Sequence, residues 1–388
     1  MAKIINNQLS IINRRGAALL VVLFVIMAIT ILSLGFLSRS DVELVCGQNM
    51  ILRTQMDYLA ESGLEHAKGL ILNPQDVEQE YWTGATGQQL VAGSSDFYDV
   101  RIVRDDPNCC NYIIDCNAYR QNGSETIGRS SLEAELRLDP CIALWRASAT
   151  TWLWSGFTIN GDVYCDGELL IDGVVNGDVF AAGPIIGSGS VAGRKNAFVG
   201  SPPVSSPGLV LSDFSSQYYY DGLGPYSVQA LDPNYGPGSL EPTSGNPAGV
   251  FYRGGEFDLR GNINITGMLV VTHDLRLKQN CNLTITAVKN FPALLVGHDI
   301  KIENVNQSIT VTGLAQVNNN IDMANKAGSY INIVGALYVG GRIINTNGCT
   351  VKITAFADKA ALEIWSTAST VKRWTPAAGA FFKSIQRK

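Results

Sequence analysis

Two short runs in the C-terminal half, Val271-Thr272-His273-Asp274-Leu275 and Val296-Gly297-His298-Asp299-Ile300, each set an imidazole beside a carboxylate. Side by side they would gather two histidines and two acids, ligand types that a divalent metal accepts. A looser relative, Val339-Gly340-Gly341-Arg342-Ile343, has neither group. A tolerant turn position explains all three runs, so no metal is assigned. Asp162, Asp166, Asp172 and Asp178 are the acids that a polysaccharide-cleaving enzyme would use in pairs. Each borders a glycine turn, and turn chemistry accounts for all four. Only His66 joins the other two histidines, and neither G-x-S-x-G nor G-x-x-x-x-G-K-[ST] occurs. No catalytic residue and no cofactor is assigned.

The elements around these residues repeat. Thr158-Ile159-Asn160-Gly161-Asp162-Val163-Tyr164 recurs 16 residues later as Val174-Val175-Asn176-Gly177-Asp178-Val179-Phe180, and Gly193 continues the row of Gly161 and Gly177. Short β runs punctuated by glycine at a fixed shift predict stacked rungs of a β-solenoid, with Asn160 over Asn176. A second array begins near Phe257, with units starting near Leu269, Leu294 and Ala336 and ending in Asn282–Ala287, Gln307–Gly313 and Cys349–Ala355. Inward Ile, Val and Leu alternate there with outward Thr and Asn, as strands covered on one side require. Between the arrays, residues 201–255 hold eight of the 14 prolines together with Tyr218-Tyr219-Tyr220, Tyr226, Tyr235 and Tyr252. Such a segment is a candidate partner-binding loop.

The chain has 388 residues, 46% hydrophobic and only 16% charged, with 39 glycines. That balance fits turn-rich β structure more than a helical bundle, and a net charge of −5 argues against a nucleic-acid partner. The N-terminus differs in kind. Lys3, Arg14 and Arg15 precede residues 17–37, which carry no charge and are long enough to span a bilayer as a helix. Positive charge before the stretch, with Asp41 and Glu43 after it, predicts the N-terminus inside and the rest outside. Val42, Val45, Leu52, Met56, Leu59, Ala60, Gly63, Ala67 and Leu70 extend the helical spacing to about Leu72, where Asn73-Pro74 stops it. Three alternating runs, 97–104, 112–120 and 128–138, then predict an antiparallel meander.

Arg14-Arg15-Gly16 ahead of Ala17-Ala18-Leu19-Leu20-Val21-Val22-Leu23, with Leu59-Ala60-Glu61-Ser62-Gly63-Leu64-Glu65-His66-Ala67, resembles the start of PilX-type minor pilins and of the type II secretion tip pseudopilin. The resemblance covers about the first 72 residues. It implies that a prepilin peptidase cuts after Gly16 and methylates Ala17, that Val21, Glu61, Gly63 and Glu65 lie on an assembly helix, and that a β head packs on the exposed half of that helix. Major pilins place a glutamate where Val21 stands, and a buried carboxylate needs a partner such as a neighbour's N-terminal amine. Val21 cannot make that pair, which implies a minor, tip or initiating subunit. An uncleaved single-pass anchor flanked by Arg14-Arg15-Gly16 is the alternative.

Eight cysteines are present. Outside the cytoplasm, Cys109 or Cys110 with Cys116 or Cys141 could form disulfides, and spacing leaves the connectivity open. Zinc is disfavoured, since no paired C-x-x-C and no nearby histidine occurs. At the other end, Lys372, Arg373, Lys383, Arg387 and Lys388 form a basic tail without an acid, expected to be a solvated cap on the last rung or a contact for a membrane or acidic partner.

The expected fold class is α+β followed by all-β: a long N-terminal transmembrane α-helix, a small antiparallel β head and a C-terminal β-solenoid. In order these are a leader (1–16), the helix (17–72, with 17–37 in the membrane), the head (73–140), first coils (141–200), a Pro/Tyr/Gly-rich insertion (201–255), second coils (256–357) and a basic tail (358–388). The function expected is that of a non-enzymatic minor pilin or pseudopilin-like subunit of a type IV pilus or type II secretion machine. It would sit in the inner membrane before assembly and in the periplasm or outside the cell afterwards. Its expected partners are prepilin peptidase, other pilin or pseudopilin subunits, inner-membrane lipid and an extracellular surface or glycan. The alternative is a membrane-anchored extracytoplasmic β-helix protein that binds or cleaves polysaccharide.

Overall fold

The computed structural model describes residues 2–73, 82–104, 110–345 and 348–388, with side chains from residue 18 onward. One long apolar helix precedes a strand-rich, mostly sheet region. The helix runs Ala2–Leu72 and so takes in residues 2–16 as well as the apolar stretch. No proline interrupts it, and at 1.5 Å per residue it is about 105 Å long. Its described part includes a window apolar enough to cross a membrane, with none of that window buried. From Met56 the character changes: Met56, Leu59, Ala60, Leu64, Ala67 and Ile71 are buried, at the spacing that keeps one face of a helix together.

That face lies on a five-stranded antiparallel sheet, ordered Gly84–Gln88, Asp96–Arg104, Asn111–Asn122, Glu125–Leu138, Ala380–Arg387. Tyr98, Val100, Ile102, Tyr112, Ile114, Cys116, Ala118, Leu132, Ala134, Leu136 and Leu138 point inward, all even-numbered, as a period of two demands. Three strands match the predicted meander. The fifth corrects the reading of the basic tail as a cap on the last rung: Ala380–Arg387 pairs with Glu125–Leu138, Lys383 bonds Glu135, Arg387 bonds Asp57, and Lys388 bonds Asp115 and Glu133. Lys372 donates to the Gly208 carbonyl and Arg373 pairs with Glu363. These cations have partners within the chain and stay exposed.

The remaining strands form mainly parallel ladders. Thr158 pairs with Val174 and Val174 with Ser190, and Val163 pairs with Val179 and Val179 with Lys195, so the register equals the 16-residue repeat. In the second array Ile263, Leu283, Ile309, Ile331 and Val351 stand in one column, each buried, and each contributes about 1.5–3 kcal/mol of burial free energy. The column contains a pass of chain that the three expected units skipped. Val296 pairs with Val317 and Val317 with Val339, so Val317-Asn318-Asn319-Asn320-Ile321 is the missing member, too altered in its polar residues to be read as a repeat.

The two arrays are one continuous ladder. Leu337 pairs with Leu144, and Val351 with Phe157, so the later array joins the side of the earlier one where the chain first enters. The chain thus starts near the middle, runs out to Lys195–Ala197, crosses to the far end and returns inward from Gln229. Residues 229–253 already belong to the ladder, since Gln229 pairs with Phe251 and Ser239 with Asn264. The crossing segment is a strap. The Val204 carbonyl accepts from Trp145 Nε1, the Leu209 backbone exchanges two bonds with the Gln316 amide, and Phe214 and Tyr218 pack on Phe291. Val204, Leu209, Phe214 and Tyr218 are buried. These residues serve internal packing, and their aromatic content matches the apolar outer face they cover, formed by Met268, Val270, Leu295 and Leu314.

Candidate functional site

The His–Asp pairs do meet, as a column of turns. The His273 and His298 rings stack with centroids 5.0 Å apart. Their carboxylates turn away. Asp274 receives Lys301 Nζ at 2.6 Å, Arg276 Nη2 and the Asp299 backbone N–H. Asp299 in turn accepts from the Asn320 N–H at 3.0 Å, and Asn320 Oδ1 accepts from the Arg342 N–H at 2.7 Å. One polar side chain per turn therefore caps the backbone of the next turn, through four passes of chain. Burial raises the Asp274 carboxyl, but the bonds from Lys301 and Arg276 outweigh it and hold it below the ordinary value. Among the described residues no group of three or more His, Cys, Asp or Glu is placed to hold a metal ion.

The acids of the first array follow the same rule. Asp162 is 1% exposed and accepts from the Cys141 and Asp178 N–H groups at 2.8 and 2.7 Å. Asp178 accepts from the Arg194 N–H and its guanidinium. Asp172 receives Trp152 Nε1 and Ser188, and Asp166 receives the Tyr164 hydroxyl. Asn176 Nδ2 donates to Asn160 Oδ1 at 2.8 Å, the expected ladder. Gly177 and Gly193 recur because the preceding pass runs directly beneath: a Cβ on either would meet the carbonyl of Gly161 or Gly177. Burial pushes the Asp162 carboxyl up to about 6, and Arg137 Nη2, 3.8 Å away, is its nearest cation. Arg137, Asp162, Asn160, Asn176, Asn111, Cys110 and Lys383 line a cavity of about 220 Å³ where the antiparallel sheet meets these turns.

The assembly-helix residues divide. Gly63 faces the sheet, where a Cβ would meet Cys116 Sγ and the Tyr98 ring. Glu61 and Glu65 are exposed, Glu65 pairing with Lys68 at 3.0 Å. Val21 is 60% exposed. Gly16 and Ala17 fall within the helix, ahead of the described side chains. Of the disulfide candidates, Cys109 lies outside the described residues. Cys110, Cys116 and Cys141 are free thiols here: Cys116 lies under Gly63, Cys110 is half-buried and Cys141 is fully buried.

Residues of consequence that the sequence did not flag include Asp358, 3% exposed, with neither carboxylate oxygen hydrogen-bonded; burial pushes it up to about 7. Arg146 is buried within the ladder, with Nε on Thr151 Oγ1 and Nη1 unpaired, and desolvation pulls it down to about 10. A single charge inside an apolar-looking run carries no periodic signal, so neither was legible.

No protein-family model and no curated protein matches this chain. Among solved structures, the competence-associated pilin ComZ from Thermus thermophilus aligns over 87% of this chain and 98% of its own, at 11% identity and a TM-score of 0.27. A score of that size matches too little of the backbone to bear on fold or function.

Proposed function

We propose that the chain is a non-enzymatic minor pilin or pseudopilin-like subunit of a type IV pilus or type II secretion machine. In this reading it is held N-in and C-out by residues 17–37, and the stacked strands from about Cys141 to Ala357 are a β-solenoid that displays a surface for contact. The supporting observation is the division of the one helix: exposed apolar residues from Leu19 to Ile51, then a buried face from Met56 onward under an antiparallel sheet. A helix that served only the head would gain nothing from its first half, whereas a subunit that must sit in lipid and then beside neighbouring helices needs it. The Gly16-Ala17 junction would be the processing site for prepilin peptidase, and Val21 would keep the subunit out of ordinary repeating positions. The carboxylates that chemistry would need are committed to turns, which favours display over polysaccharide cleavage.

Mass spectrometry of the N-terminus of protein made in a host with a prepilin peptidase tests this. The expected product starts at N-methylated Ala17. A chain that still begins at residue 1 or 2 overturns the reading.

A further inference from the structure

The outward sides of the second array differ in chemistry. On Phe257–Leu259 and the strands stacked on it, Asp258, Arg276, Lys301 and Asp322 stand in one column, and Arg276 and Lys301 hold ion pairs to Glu256 and Asp274. On Met268–Val271 and its neighbours the outward residues are apolar, and the strap covers them. A third side stands open and nearly uncharged. Asn262, Asn282, Ser308, Tyr330 and Thr350 form one outward column, and Asn264, Thr284, Thr310, Asn332, Lys352 and Thr158 form the next. Lys352 is the single charge in either column, Asn262, Asn264, Asn282 and Thr284 are exposed, and Tyr330 is 45% exposed. We propose that this side binds a neutral polysaccharide laid along the columns. The inference rests on the reading above, in which the chain displays a surface for contact, and names what that surface takes.

Side-chain chemistry selects the ligand class. Amides and hydroxyls between them donate and accept, as sugar hydroxyls do, so a row of them exchanges hydrogen bonds with a sugar chain whichever way each hydroxyl turns. The row is already oriented: Asn282 Nδ2 donates to Asn262 Oδ1 at 2.9 Å, and Ser308 Oγ donates to Asn282 Oδ1 at 2.7 Å, so less side-chain freedom is lost on binding. Tyr330 adds a flat apolar ring with a polar edge, suited to the C–H face of a sugar. Neighbouring strands lie about 4.7–4.9 Å apart, so each column offers polar groups at a constant step, and a polymer of identical units meets many weak contacts at once. An acidic polymer would find only Lys352 to meet it. Solubility alone would be served by charge, as on the Asp258 side; a side this neutral matches a neutral partner.

The test uses the full-length protein in detergent, with cellulose, chitin and mannan as neutral probes and polygalacturonate and heparin as acidic ones. Retention on at least one neutral probe and on neither acidic probe is expected. Tyr330→Ala and Thr284→Glu should each weaken it at least about tenfold with the thermal midpoint unchanged, and Glu256→Gln on the charged side should leave it as it is. Failure to bind any neutral probe, retention on the acidic probes, or binding undiminished in both Tyr330→Ala and Thr284→Glu overturns the proposal. Failure to bind by protein whose N-terminus is Ala17 counts against this inference alone, whereas binding by a chain that still begins at residue 1 or 2 counts against the subunit reading alone.

Discussion

Leu337 lies in parallel register with Leu144, with Tyr338 on Trp145 and Val339 on Arg146, so two arrays far apart in sequence share one ladder. The Trp145 and Tyr338 rings stack across the joint at 5.0 Å. Removing the Leu144 side chain, which is fully buried, should therefore cost about 2–5 kcal/mol and loosen both arrays. In Leu144→Ala, amide hydrogen exchange should accelerate in 157–181 and in 330–355 together. Acceleration in only one would mean that the arrays are energetically independent.

The turn column predicts that the carboxylate matters and the imidazole does not. Asp299→Ala removes the acceptor for the Asn320 N–H and for the Asn319 and Asn320 amides, and should destabilise by about 1–3 kcal/mol. His298→Ala, with its ring only stacked, should stay within about 1 kcal/mol. Denaturant titration of the two variants decides it. A polysaccharide-cleaving activity lost in either would show that the column does chemistry.

Asp358 should make stability depend on pH. Its folded value, about 7, lies above the ordinary 3.8, so its contribution is fully present below about pH 4 and is lost as pH rises toward 7. Between pH 5 and 8 the wild type should become less stable with rising pH, by up to about 3 kcal/mol. Asp358→Asn should flatten that slope in thermal melts. An equal slope in both proteins would assign the pH dependence to another group.

Close approach of helix and sheet at Gly63 leaves no room for a methyl group against Cys116 and Tyr98. Gly63→Ala should cost about 1–3 kcal/mol, and less in a Cys116→Ala background, where the sulfur is gone. A double-mutant cycle measures the difference; strict additivity would place the clash elsewhere.

The outermost strand, Lys195–Ala197, pairs with Val179–Ala181, and its lysine continues the buried column of Val163 and Val179. A charge where the stack wants an apolar residue guards an open edge. Lys195→Val should promote self-association, visible by light scattering of the detergent-solubilised protein as a concentration-dependent rise in mass. Unchanged mass across concentrations would show that the edge is protected by other means.

The helix, the three central head strands and the 16-residue register were determined by the sequence itself, because each rests on spacing within a few residues: three to four for Met56 through Ile71, two for Tyr112 through Ala118, and a glycine wherever one pass presses on the last. Parallel pairing preserves that spacing, so a local repeat becomes a register directly. What tertiary structure alone decided is which distant segments become neighbours. Leu337 beside Leu144 and Phe382 beside Leu136 are joined by backbone bonds and packing that any apolar strand of similar length could make, and nothing local to either partner names the other. The same holds for Val317-Asn318-Asn319-Asn320-Ile321, whose place in the column comes from strands on both sides, and for the lysines and arginines of the last 17 residues, whose partners are acids on the head sheet and the helix or groups in the strap and the adjoining hairpin. Non-local choices of this kind are made by the fit of whole faces, and they exist only once the chain has closed on itself.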